Sequence, residues 1–259
     1  MNIEFTFIVI SAIITLGVIQ ASIENILLFS YLPALSNYPL NEGILKSRLA
    51  KKFSFLYNYP GIWVLSILRL ISGLWLLGSI LFFKISALAI VTVLVIDLLG
   101  LVRWKYLPNS DLPMRRFILT GVLTYVLFDV VFISNFILIA ITYLLCVTYL
   151  ATAYNKLKDK NWKNGKTIIF FLNSQKQSNL SLKWLGYGVI LFQLGFFIGL
   201  MKVELAILFM AIGFIFHFYL YVKHEINFFF WTFLAAYPAY YYIAQYTSDM
   251  IDKNLTNFL

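Results

Sequence analysis

The sequence predicts an all-α, polytopic transmembrane helical bundle of about eight spans, and three observations carry that expectation. Of the 259 residues, 61% are hydrophobic and 12% charged, against about 45–50% and about 25% in ordinary soluble domains. Apolar runs of near-spanning length repeat along the whole chain, giving a mean hydropathy of +0.85. The basic residues gather in every second loop between those runs. So few polar residues cannot cover a water-facing surface without leaving large apolar patches. A soluble enzyme and a disordered tail are thereby excluded, and a single cysteine excludes a disulfide scaffold.

A helix needs about 20 mostly apolar residues to cross a hydrocarbon core of about 30 Å. The first run, 4–32, is long enough to tilt or to project beyond the bilayer. It lacks the basic n-region and small-residue cleavage site of a signal peptide. Runs 62–83 and 85–102 follow, joined at Lys84 by a turn so short that they form a tight hairpin. The stretch 117–154 is too long for one span. Ser134-Asn135 is its polar break, giving 117–134 and 136–154. Runs 182–201, 203–222 and 226–246 complete the eight. Segment 166–172 reads as a short amphipathic element along the membrane surface. No repeat or linker sets off a second domain, so residues 1–259 read as one integral-membrane domain.

The charges orient the bundle. Sixteen of the 20 Lys and Arg residues fall in the first, third, fifth and seventh loops, three fall on the other side, and Arg69 lies within a span. By the positive-inside rule the Lys-rich loops face the cytoplasm and both termini lie outside. The net charge of +9 is confined to short loops, which records bilayer orientation rather than a nucleic-acid-binding face. Cys146 reads as a small buried hydrophobe. With only His217 and His224 in the chain, a His/Cys metal site has little support.

Ionisable groups inside spans are costly, at roughly 2.5–3.5 kcal/mol each, and call for a reason. Here they are Glu24, Arg69, Asp97, Asp129 and His217. At 1.5 Å per residue, all but Asp129 lie within roughly 8–14 Å of one membrane face. Asp129 falls near the midplane. One reading pairs Arg69 with Glu24 or Asp97 as a neutralised packing element. The other opens a polar cavity lined by Glu24, Arg69, Asp97 and His217, with His217 as a proton carrier. Trp162, Trp184, Trp231, Tyr237, Tyr240, Tyr241 and Tyr242 read first as an aromatic belt, and Pro238 as a site where the last span can kink.

The segment YLATAYNKLKDKNWKNGKTI, from Tyr149 to Ile168, is the most distinctive stretch. It resembles an element of the HTTM-domain membrane proteins, which include vitamin K-dependent gamma-carboxylase and the bacterial sporulation-delaying-protein maturation factors. In that family an aromatic span runs into a K-L pair and then W-x-x-G, here Lys156-Leu157 and Trp162-Lys163-Asn164-Gly165. ILRLISG around Arg69 and FHFYLYVKHEINFFFWTFLAA from Phe216 resemble two further family spans, so the likeness covers about residues 62–236. The resemblance implies an HTTM-like core and a quinone or hydroquinone cofactor. It also implies that Lys156 is the base, a task that asks for partial desolvation or nearby positive charge. In an enzyme reading built on the charges at that depth, His217 would relay protons, Arg69 would position an anionic intermediate, and Glu24, Asp97 and Trp162 would line the substrate site.

Two function classes stand side by side. One is a membrane-embedded, carboxylase-like or quinone-linked enzyme. The other is a non-catalytic accessory factor in peptide-toxin maturation, immunity or export, partnered by a peptide or a membrane protein. It follows from the small size and the lack of a large extramembrane region. A small transporter is a third reading, although no inverted repeat or matched broken spans are visible. The Ile-, Asn-, Lys- and Phe-rich composition fits an AT-rich genome and a bacterial cell membrane.

Overall fold

A computed structural model describes residues 1–31, 55, 60–104, 111–172, 180–224 and 227–258. Among these the chain is all-helical, with no strands. In order, the helices are α1 (Ile3–Tyr31), α2 (Gly61–Leu81), α3 (Ala87–Trp104), α4 (Asp111–Phe128) and α5 (Val131–Lys158). Then come two short helices, α6 (Lys160–Lys163) and α7 (Lys166–Phe171). The last three are α8 (Leu180–Gly195), α9 (Val203–His224) and α10 (Asn227–Phe258), with a 3₁₀ turn at Ile198–Met201 before α9. A long helix occupies each of the eight apolar stretches, and α7 occupies the predicted short element. Lys46, Arg48, Lys51, Lys52, Lys105, Lys176 and Glu225, which entered the charge count or the loop reading, lie outside the described residues.

Among the described residues four helices, α1, α2, α5 and α9, are long and apolar enough to cross a membrane, as an integral membrane protein requires. The other long helices fall short for identifiable reasons. Helix α8 has 16 residues, and the fully described part of α3 is the shorter apolar stretch Ala87–Leu99. Helix α4 opens with Asp111, Arg115 and Arg116. Helix α10 is rich in tyrosine, which counts as weakly polar on a hydropathy scale.

The helices bury a stripe and leave the rest for lipid. In α2 the buried positions are Ile62, Leu65, Ser66, Arg69, Ser72, Gly73, Leu76 and Ile80, a 3.6-residue period. Val64, Leu68, Ile71, Leu74 and Trp75 face outward. Three buried hydroxyls are satisfied within their own helices: Thr15 donates to the Ser11 carbonyl, Ser22 to Val18 and Ser66 to Ile62. That local bonding lets polar residues sit in apolar helices without an orphaned donor.

One boundary differs from the sequence expectation. The break between the fourth and fifth spans falls at Asp129-Val130, not at Ser134-Asn135. Asp129 takes φ +39°, a left-handed conformation that Asp tolerates better than most residues. Ser134 is accommodated inside α5 because its hydroxyl donates to the Val130 carbonyl at 3.0 Å. Asp129 is therefore an exposed residue at the break between α4 and α5.

The chain divides into two compact units. The first comprises Glu4–Ser134 and Asn227–Ala235. Within it α2 and α3 form the expected hairpin: Phe83 turns the chain at φ 55°, the Lys84 N–H donates to the Ser79 carbonyl, and Ser86 Oγ accepts from the Ala89 N–H at the start of α3. Phe7 stacks on Tyr125 at 4.0 Å. Gly17 allows Trp231 to approach α1, since a Cβ there would lie 2.6 Å from the Trp231 Cβ. The indole N–H then donates to Gln20 Oε1.

The second unit comprises Met1–Ile3, Asn135–Ile226 and Ala236–Leu259. Its interior is aromatic: Tyr149 stacks on Phe196 at 4.2 Å, and Phe196 lies 4.5 Å from Tyr240, whose hydroxyl donates to the Phe196 carbonyl at 2.6 Å. Tyr237 and Tyr240 are thus buried core residues rather than belt residues, whereas Trp184 is exposed. The backbone of α10 stays helical through Pro238.

Candidate functional site

The second unit carries a buried lysine set beside a hydrogen-bonded tyrosine–histidine chain. Helix α5 builds both from one face. Its buried positions Ile141, Thr142, Leu145, Cys146, Tyr149, Ala153 and Lys156 recur at helical spacing. Two turns therefore separate Tyr149 from Lys156 along the same stripe. Lys156 is 9% exposed, although it lies in the last turn of its helix. Its Nζ donates to Gln193 Oε1 of α8 at 3.0 Å. It also lies 4.4 Å from the ring centre of Trp162 and 5.5 Å from that of Phe216. Ring faces attract a cation through their quadrupole, so a neutral amide and two aromatic rings hold this amine.

The loop after α5 puts Trp162 in place. Asp159 caps α6, its carboxylate accepting from the Asn161 N–H at 2.8 Å. The helix ends in a tight turn in which the Gly165 N–H donates to the Trp162 carbonyl at 3.1 Å. Gly165 has φ +73°, and a Cβ there would meet the Leu182 carbonyl carbon at 3.0 Å. The W-x-x-G spacing thus has a mechanical meaning. The glycine reverses the chain against the start of α8 and leaves the indole over Lys156.

Tyr149 Oη bridges His217 Nε2 at 2.9 Å and Tyr237 Oη at 3.0 Å. With the Nε2 lone pair as acceptor, protons point from Tyr237 to Tyr149 to His217; the other histidine tautomer reverses the chain. Gly213 makes room, because a Cβ there would overlap the Tyr237 hydroxyl and lie 3.2 Å from that of Tyr149. The buried stripe of α9 is narrow, Ala206, Gly213 and His217, and its other faces are mostly apolar and exposed.

Glu24, Arg69 and Asp97 belong to the first unit, and Lys156, Trp162 and His217 to the second. Of the two carboxylates the sequence offers Arg69, the structure uses Asp97, at 3.0 Å. Glu24 instead accepts from Gln20 Nε2, one turn away on its own helix, at 2.7 Å. Arg115 also binds Asp97, with Nη2 at 2.8 Å and Nε at 3.0 Å from Oδ2. Arg116 Nη2 donates to the Asp97 backbone carbonyl at 3.0 Å.

Sequence reasoning missed Arg115 and Arg116 because it began the fourth span at Phe117 and left both in a loop. It missed Gln193 and Tyr149 as site residues. The signals were available: an amide within an apolar run, and a tyrosine seven residues before the lysine. Among the described residues no group of three or more His, Cys, Asp or Glu side chains could hold a metal ion. No family model, curated protein or solved structure matches the chain.

Proposed function

We propose that the protein is an eight-span, HTTM-like integral membrane enzyme of a bacterial cell membrane, and that Lys156 is the base of a quinone-linked, carboxylase-like reaction. In this reading α3, α4, α8 and α10 complete the spans begun by the four apolar helices. The Lys-rich loops face the cytoplasm by their charge bias. The observation that carries the proposal is the setting of Lys156. It is a nearly buried amine whose described partners are one neutral amide and two aromatic rings. Carboxylates clamped around a lysine hold it as the ammonium, which has no lone pair for a proton, and Lys156 has no such clamp among the described residues.

The donor set suits a planar, oxygen-bearing ring. Trp162 and Phe216 offer ring faces, and Lys156 and Gln193 offer hydrogen-bonding groups beside them. The core around Tyr149, Phe196 and Tyr240 is filled by its own stacking, so the Lys156 side is where such a ring would be held. A bound hydroquinone would supply a deprotonable hydroxyl and reducing electrons. Lys156 accepts a proton at Nζ, Gln193 orients the amine, and Tyr149 links His217 to Tyr237 for proton transfer. The second reading, a non-catalytic factor in peptide-toxin maturation, immunity or export, is favoured by the close packing of that same aromatic core.

The test uses the full chain in detergent with a short-chain menaquinone, read by quenching of tryptophan fluorescence. Lys156→Ala is expected to keep its helical circular dichroism and lose about tenfold or more in affinity. Lys156→Arg, which keeps the charge but does not act as a base, is expected to retain more binding while losing turnover. Equal binding by wild type and Lys156→Ala, or none by wild type, would transfer support to the accessory-factor reading.

A further inference from the structure

The first unit holds a charge imbalance that its described residues do not resolve. Asp97 is 3% exposed and carries one negative charge, yet it serves two buried guanidiniums, Arg69 at 8% and Arg115 at 2% exposure. Oδ1 accepts from Arg69 Nη1 at 3.0 Å, and Oδ2 accepts from Arg115 Nε and Nη2 at 3.0 and 2.8 Å. One positive charge is left over in a water-poor interior, where an uncompensated ion is strongly disfavoured. The same arginine also has an idle edge. Arg69 Nε donates to Ser22 Oγ at 2.9 Å, Nη1 is taken by Asp97, and the buried Nη2 has no hydrogen-bond partner among the described residues. Buried donors are rarely left so.

The place in the fold suggests what would fill that edge. Ser22, Arg69, Asp97 and Arg115 each lie within about three turns of the helix end that leads into residues 32–59 or 105–110. The sequence there carries Lys46, Arg48, Lys51, Lys52 and Lys105, with Arg103 just before. Basic groups between helices near a helix end are known to take anionic head groups. A guanidinium pre-oriented by a carboxylate and a hydroxyl presents a planar fork that matches phosphate oxygens.

We propose that the Arg69 Nη2 edge, braced by Asp97 and Ser22 and backed by the charge of Arg115, binds a phosphate group. The group comes either from an anionic lipid head or from free phosphate. The site lies in the other unit from Lys156 and stands whether or not that lysine is a base.

The test uses the delipidated full chain in dodecyl maltoside, with lipid adducts counted by native mass spectrometry and stability followed by thermal unfolding. The probes are phosphatidylglycerol, phosphatidylcholine and inorganic phosphate. Wild type is expected to bind phosphatidylglycerol about tenfold more tightly than phosphatidylcholine, or to be stabilised by inorganic phosphate at millimolar levels. The first result assigns a lipid head group and the second a free phosphate. Arg69→Lys, which keeps the charge while losing the fork, is expected to weaken whichever effect is seen severalfold. Lys253→Gln, in the other unit, is expected to leave it unchanged. No preference and no phosphate effect in wild type overturns the proposal, even if every Arg69 variant misfolds. So does a preference that Arg69→Lys and Arg69→Gln leave intact, since the anion would then be held elsewhere.

Discussion

Replacing Asp97 with alanine is the sharpest perturbation of the first unit. The carboxylate accepts three charge-assisted hydrogen bonds, one from Arg69 and two from Arg115. Its loss leaves two like charges facing each other without a counterion. Removing one partner of a buried ion pair costs about 3–5 kcal/mol, or about two to four powers of ten in the unfolding equilibrium. Arg69→Met is a different case. It gives up the bonds to Asp97 and Ser22, of which the charged one is worth about 1.5–3 kcal/mol, but it leaves Asp97 and Arg115 as a balanced pair. The order is therefore Asp97→Ala well below Arg69→Met. The double variant is expected to be more stable than Asp97→Ala alone, because the like-charge repulsion has gone. Unfolding by sodium dodecyl sulfate in mixed micelles, followed by circular dichroism, measures all three. If Arg69→Met is as damaging as Asp97→Ala, or the double variant is the worst, the carboxylate is not the balancing group and the charge accounting fails.

Three further outcomes follow from the geometry. Gly165→Ala places a side chain at φ +73° and 3.0 Å from the Leu182 carbonyl carbon, so it should lose about 1–3 kcal/mol. Gly188→Ala, with nothing within 4 Å of the new Cβ, should be close to neutral in the same titration, and equal effects would contradict the turn's role. Tyr149→Phe removes the hydroxyl that joins His217 to Tyr237. It should cost about 1–3 kcal/mol and shift the imidazole resonances of His217 in an NMR spectrum; an unmoved spectrum would count against the bridge. Trp231→Phe deletes the donor to Gln20 but keeps the ring against Gly17. It should cost about 0.5–1.5 kcal/mol, less than Gly17→Leu, which forces α1 away from the indole.

Much of the helix layout was legible because span length and apolar composition are local properties. Depth arithmetic placed Arg69 and Asp97 at one level, and antiparallel hairpin geometry then brings them together. The chain break after Phe128 was not legible. It depends on the positive φ of Asp129, and Ser134, the more conspicuous polar residue, quiets its own hydroxyl on the preceding turn. Starting α4 late hid Arg115, whose position inside the helix changes it from a loop charge into a partner of Asp97. The Tyr149–His217–Tyr237 chain joins residues 68 and 88 positions apart. Only packing of α5, α9 and α10 creates it, and Gly213 is the cue in the sequence that a hydroxyl fits there. The tyrosines of α10 misled for a related reason: aromatic residues with a polar tip are enriched at membrane interfaces, but here Tyr237 and Tyr240 find bonding partners within the protein.

Cys146 is 1% exposed on the same stripe of α5 that carries Tyr149 and Lys156. It is the chain's sole thiol. A maleimide has to wait until this helix parts from its neighbours, so the labelling rate in native micelles counts those openings directly. The wild-type molecule thus carries its own clock for breathing inside its second unit, and a ligand that tightens that interior will slow it without any added probe.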